Sequence, residues 1–138
     1  MSRDRGSVTI WVLGLSVLLL FFGGVALDFW RVLAVQRQAA AIADTAVVAA
    51  ASGIDEAHYR ETGEILIDPD RAVELATASI TNQEIEVTAA LVTVSPDGTA
   101  VEVEVSDEIR GGFVAFFSGD DGVLAVTATA TAEPRLVP

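Results

Sequence analysis

His58 is the one histidine in the chain, and there is no cysteine. These two residue types supply many general bases, nucleophiles and transition-metal ligands, so the catalytic repertoire is narrow from the outset. His58 stands in a polar stretch with no nucleophile motif around it and reads as a surface histidine. Asp55-Glu56, Asp68-Pro69-Asp70 and Asp120-Asp121 are acid pairs, and none has the spaced oxygen ligands of a calcium loop. They read as solvated loop acids. The sequence has no phosphate-cradling glycine loop and no GxSxG. Gly111-Gly112 and Gly119 bracket an apolar patch of Phe113, Val114, Phe116 and Phe117, which reads as core rather than as a ligand site. The sequence therefore assigns no catalytic, cofactor-binding or metal-binding residue, and the expected function is non-enzymatic.

Charge narrows the partners further. The net charge is −12, with eight basic and twenty acidic residues in 138. Arg3, Asp4 and Arg5 stand before the first apolar run, so six arginines and nineteen acids lie beyond it. So acidic a domain repels phosphate backbones, which excludes nucleic acid as an expected partner. Anionic lipid headgroups repel it as well, so only an anchor would hold it at a membrane. With no cysteine, disulfides and thiolate sites are excluded.

That anchor is legible. Residues 8–27 read VTIWVLGLSVLLLFFGGVAL, an uncharged run. As a helix it covers roughly 30 Å, the thickness of the hydrocarbon core of a bilayer. Helix is the default there, because lipid offers the backbone no partners. Trp11 and Trp30 lie near the two ends of the run, where indole rings favour the headgroup region. Arg3 and Arg5 place the N-terminus on the cytoplasmic side by the positive-inside rule. Arg31, which follows the run, is three residues from Asp28 and expected to pair with it on one helix face. A cleaved signal peptide is the alternative, with a small-x-small site near Gly24-Val25-Ala26. The run is longer than a usual signal core, and the helical pattern continues past that point, so a retained anchor is expected.

Residues 28–51, DFWRVLAVQRQAAAIADTAVVAAA, contain no Pro or Gly and are dense in alanine, the best helix former. One continuous helix is predicted from residue 7 to residue 51. Gly23, Gly24 and the alanines at 39, 43, 46 and 50 offer a small-residue surface. It would either pack on the protein's own domain or admit a partner helix at close range. On the second reading, bulky residues at Ala43 or Ala46 block association and leave the outer domain folded.

The remainder predicts an α+β architecture. Ser52-Gly53 ends the long helix, and residues 54–68 form a loop with a short strand at 65–67. Asp68-Pro69 starts a short helix, running to about Ile80, with Val73, Ala76 and Ile80 on its inward face. Residues 85–94 form a strand with a bulge near Ala89-Ala90. Ser95-Pro96-Asp97-Gly98 turns it into a second strand, where Val101, Val103 and Val105 alternate with Glu102 and Glu104. Residues 123–132 alternate again, with Leu124, Val126, Ala128 and Ala130 on one side and threonines on the other. An antiparallel sheet of three or four strands should pack on the short helix, the outer half of the long helix, or both. The divisions are a leader at 1–6, the transmembrane and Ala-rich stalk helix at 7–53, and an extracytoplasmic domain at 54–138.

Arg5-Gly6-Ser7, the apolar run and then ALDFWRVLAVQRQAAAIADTAVVAAASG resemble the TadE/TadG-like family of pilus-assembly proteins over roughly residues 5–53. The most specific positions are Asp28, Arg31, Gln38 and Asp44. The segment VLAVTATATAEP also looks like the last strand of such proteins. The resemblance implies a pilin-like fold and a minor pseudopilin-like or assembly component of a Tad/Flp-type pilus or secretion system. It would sit as a single-pass protein in the bacterial cytoplasmic membrane. Its implied partners are the lipid bilayer and other pilin-like or Tad assembly proteins, with no cofactor. Gly6 and Ser7 stand where the resemblance places a prepilin-type cut. Trp11 occupies the fifth position after it, where pilins usually carry glutamate, and this departure favours a retained leader. The alternative is a membrane-tethered binding module outside any pilus, which folds from residue 54 onward and captures its ligand by a sheet edge or the Phe patch.

Intact mass of the protein extracted from its native membrane tests the leader. The expected mass is that of the uncut chain, with or without the first methionine. A mass matching residues 7–138 would establish cutting after Gly6, and one beginning near residue 27 would establish a secreted protein.

Overall fold

The computed structural model describes residues 4–83, 87–113, 115 and 123–134. It is an α+β structure with a long N-terminal helix, two short helices and a three-stranded antiparallel sheet. Helix α1 spans Asp4–Ala51 without a break. At 48 residues it is about 72 Å long. It therefore begins before residue 7 and takes in part of the expected leader. Helix α2 covers Glu56–Thr62 and α3 covers Pro69–Thr81. The strands are β1 Ala89–Val94, β2 Val101–Arg110 and β3 Val123–Ala132, in the order β1-β2-β3.

The core lies between the outer half of α1, helix α3 and one sheet face. Ala39, Ile42, Ala43, Ala46, Val47, Ala50 and Ala51 of α1 are all buried. So are Ala72 and Ala76 of α3, and Val101, Val103 and Val105 of β2. Burying each of these valines contributes about 1.5–3 kcal/mol. Small side chains let the backbones of α1 and α3 approach closely. A Cβ placed on Gly53 would stand 3.0 Å from the Ala72 backbone nitrogen and 3.1 Å from the Ala50 carbonyl oxygen. The alanine surface that the sequence offered to a partner helix at 39, 43, 46 and 50 is thus occupied by the protein's own α3 and sheet.

The register fixes the two faces. Val101, Val103 and Val105 pair with Ala132, Ala130 and Ala128 on one side. On the other side they pair with Val94, Val92 and Ala90. These residues line the helix-facing side, and Glu102, Glu104 and the β3 threonines line the other, as the alternation predicted. β1 pairs with β2 without a break through Ala89↔Ser106 and Ala90↔Val105, so the expected bulge is absent. The two alanines continue the pleat. The first part of the predicted 85–94 strand lies outside the described residues.

Three further expectations are corrected. Residues 54–68 hold a helix, α2, where a loop was expected. Asp55 caps it by accepting from the Ala57 and His58 N–H groups at 3.0 and 2.9 Å. Gly63 closes it in the left-handed conformation that glycine adopts without strain. The short strand at 65–67 reduces to one bridge, Ile54↔Ile67. Helix α3 is capped by Asp68 with Pro in its first turn, as expected. Its inward face, however, carries Ala72 and Ala76, while Val73 is 46% exposed. The close approach to α1 leaves room for alanine there and turns the larger valine outward.

The β1–β2 connection closes on Ser95 and Asp97. Ser95 Oγ donates to Asp97 Oδ1 at 2.6 Å, and the Thr99 N–H donates to the same oxygen at 3.2 Å. The Ser95 hydroxyl first, then Thr99, hold the Asp97 carboxyl at about 2 rather than its ordinary 3.8. A carboxyl lowered on folding favours the folded turn above its unfolded value and loses that contribution as pH falls through the folded one. The Asp97 carbon resonance should therefore titrate near pH 2, and Ser95→Ala should move it up toward 3.8. An unshifted Asp97 in the parent protein would remove this account of the turn.

Ala43→Leu and Ala46→Leu should each destabilise the fold by about 1–3 kcal/mol through overpacking. Ala41→Leu, at an exposed position of the same helix, should stay within about 0.5 kcal/mol. Urea unfolding in detergent distinguishes them, and equal effects at all three positions would contradict the packing described.

Candidate functional site

The two halves of α1 live in different surroundings. Beyond residue 39 one face is core. Over residues 8–23 the helix is exposed all round, with Ile10 at 73%, Trp11 at 78% and Leu20 at 72% exposure, and Gly24 and Val25 are half-buried. Among the described residues this is the one helix long and apolar enough to cross a membrane. A bare apolar cylinder of this length is untenable in water and suited to lipid. The single apolar span fits a membrane-anchored protein.

The membrane-proximal end of the sheet returns to this span. After β2 the chain reaches Gly112 and Phe113, and both meet α1. A Cβ on Gly112 would stand 2.8 Å from Asp28 Oδ2, so the Asp28 carboxylate lies directly over this glycine. Gly112 has φ 150°, a conformation that side chains rarely adopt, which suits glycine twice over. The Phe113 ring covers Gly24. A Cβ there would fall 2.5 Å from Phe113 Cγ, so any larger residue displaces the ring. Phe113 also meets Phe21 edge to face, with ring centroids 5.6 Å apart. Such aromatic pairs contribute about 0.5–1.5 kcal/mol beyond area burial. Leu20, Gly23, Leu27, Trp30 and Phe113 line an open apolar groove of about 760 Å³ on this side of the span.

The residues singled out from sequence fall into three groups. Gly24 and Asp28 meet the β2–β3 connection, while a Cβ on Gly23 would meet no atom within 4 Å. Ala39, Ala43, Ala46 and Ala50 are core. Arg31, Gln38 and Asp44 are exposed on α1. The expected Asp28–Arg31 pair is not among the contacts seen between described side chains, which include the Arg60–Glu56 ion pair at 2.7 Å and a His58–Glu64 contact at 3.5 Å. Gly6 and Ser7 lie in the first turns of α1. The Phe patch divides: Phe113 packs on the span instead of joining the core of the domain, and Val114, Phe116 and Phe117 lie outside the described residues, as does Asp120-Asp121. Sequence reasoning missed the Phe113–Gly24 contact. Its signal was an aromatic run between glycines in the connection that must return toward the anchor.

Asp55 and Asp68, which sequence left as one loop acid and one cap, both cap helices. Among the described residues no three His, Asp or Glu side chains gather in a way that could hold a metal ion.

No curated protein and no solved structure matches the chain. The family model for putative Flp pilus-assembly TadE/G-like proteins matches residues 6–53. That segment is α1 from its third residue, together with the Ser52-Gly53 turn that ends it. The chain is thus similar to TadE/G-like Flp pilus-assembly proteins over residues 6–53, the span and the core helix in one.

Proposed function

We propose that the protein is a minor pseudopilin-like or assembly component of a Tad/Flp-type pilus or secretion system. It acts by packing its helix against partner subunits and performs no catalysis. The observation that carries this reading is the division of α1 within the matched segment: apolar and largely exposed over residues 8–27, core on one face from residue 39. The first half offers a partner a lateral surface within the bilayer, and the second fixes the domain to it. In this reading the N-terminus is cytoplasmic and the domain extracytoplasmic, following Arg3 and Arg5.

The contact surface in this reading differs from the alanine stripe. Since Ala39, Ala43, Ala46 and Ala50 are filled from within, partners meet the outward side of α1. That side carries Gln38, Ala41, Asp44, Thr45 and Val48, with Val48 at 67% exposure, and Gly23 lies open below it. The shared core also bears on the tethered-module alternative, because residues 54–138 alone would leave Val101, Val103 and Val105 without the helix that covers them.

The absence of native cysteine makes a single introduced thiol unique. Gly23→Cys and Ala41→Cys, labelled with benzophenone maleimide and irradiated in the native membrane, should give photo-cross-links to pilin-like or other Tad membrane proteins, identified by mass spectrometry. Ala46→Cys, buried, should give none. Monomer alone at both exposed positions, with the protein present in the membrane, would refute the packing role.

A further inference from the structure

We infer that Phe113, just after β2, is a second membrane-contacting point, seated below the headgroup level in the leaflet on the side of the folded domain. The inference rests on residues 8–27 spanning the bilayer. If they do, position follows from the helix itself. Asp28 is the first charged residue after the apolar run and marks its polar boundary. Gly24 and Phe21 lie four and seven residues before it, roughly 6 and 10 Å deeper along the axis. The ring of Phe113 touches both. A side chain held at that level on a lipid-bathed helix stands among acyl chains, whichever way the helix points across the membrane.

Three further observations agree. The backbone step into this region is made by Gly111 and Gly112, with φ 72° and 150°, so the chain leaves the end of the central strand β2 and passes Asp28. The start of β3, which re-enters the sheet, exposes Val123 and Leu124 at 51% and 49%. Leu124 sits opposite Ile109 on the helix-facing side, where β3 residues farther from the membrane are covered. The groove walled by Leu20, Gly23, Leu27, Trp30 and Phe113 is apolar and open, a surface that acyl chains fill without any polar partner. The acidic outer surface of the domain keeps the rest of it away from anionic lipid, so insertion is confined to this corner. The domain is consequently held at the bilayer at two points, the span and Phe113, and its orientation relative to the membrane is fixed.

The test uses the full chain in phosphatidylcholine–phosphatidylglycerol vesicles, with Trp11→Phe and Trp30→Phe removing the native indoles. Phe113→Trp supplies a single reporter at the proposed site and Val17→Trp a reporter in mid-span. Lipids brominated at shallow or deep acyl positions quench an indole only on contact. The Phe113→Trp emission should be blue-shifted and quenched, more by shallow than by deep bromines. Adding Gly24→Leu, which removes the seat of the ring, should shift or weaken that quenching. Val17→Trp should be quenched most by deep bromines in either background. Red-shifted, unquenched emission at 113 with normal quenching at 17 would overturn the insertion of Phe113 alone. Loss of quenching at both positions would overturn the membrane span and this inference with it.

Discussion

The structure depends on how closely α3 and the sheet approach α1, and alanine is what permits it. Ala39, Ala43, Ala46 and Ala50 recur at three- and four-residue spacing, so their methyl groups form a flat strip along one side of the helix. Gly53 continues the strip past the helix end, where α3 comes within van der Waals distance of the backbone. Alanine loses no side-chain entropy on burial and costs nothing in helix propensity. The larger side chains that fill the space come from both sides: Val101, Val103 and Val105 from β2, and Ile42 and Val47 from α1 itself. A domain of this size has a modest core, and it is completed by borrowing a face from its own anchor.

That arrangement sets the terms for α1 as a whole. One helix must satisfy lipid over its first half and a protein interior over one side of its second. The sequence meets the first demand by being apolar all round and the second by confining polar residues to the outward side. The change occurs at Asp28, the first charge after the apolar run, where Gly112 meets the helix. At the other end, the segment matched by the family model closes at residue 53, two residues after the helix does.

Much of this was readable from local chemistry. The Asp68-Pro69 start of α3, the turn at Ser95-Pro96-Asp97-Gly98 and the alternation of β2 and β3 are each specified by residues within a few positions of one another. Helix α2 was equally local, with Asp55 as cap, Glu56 and Arg60 one turn apart and Gly63 at the end, but its shortness and polarity resemble a loop. Most of the remaining differences are long-range. Periodicity showed that the alanines of α1 form a surface and left open what covers it, because small residues suit an internal helix and a foreign one equally. The same ambiguity placed Val73 inward on α3, since spacing alone does not distinguish adjacent stripes when alanine and valine compete for a tight contact. Phe113 was legible as apolar and not as a contact of Gly24, because the two are 89 positions apart in sequence.

The unbroken course of α1 has a mechanical consequence. Between Leu27 and Ala51 the helix contains neither glycine nor proline, and the sheet splints it along one side. The segment therefore behaves as a lever arm whose fulcrum lies in the bilayer, with about 36 Å between Leu27 and Ala51. A change of 10° in the tilt of the span carries the far end of the domain sideways by roughly 6 Å, and bilayer thickness is one quantity that sets such a tilt. Membrane thickness is in this way converted into the position of the turn at Asp97 and the start of α3, which Ile67 and Asp68 tie to Gly98 and Gly53 at the far end of α1.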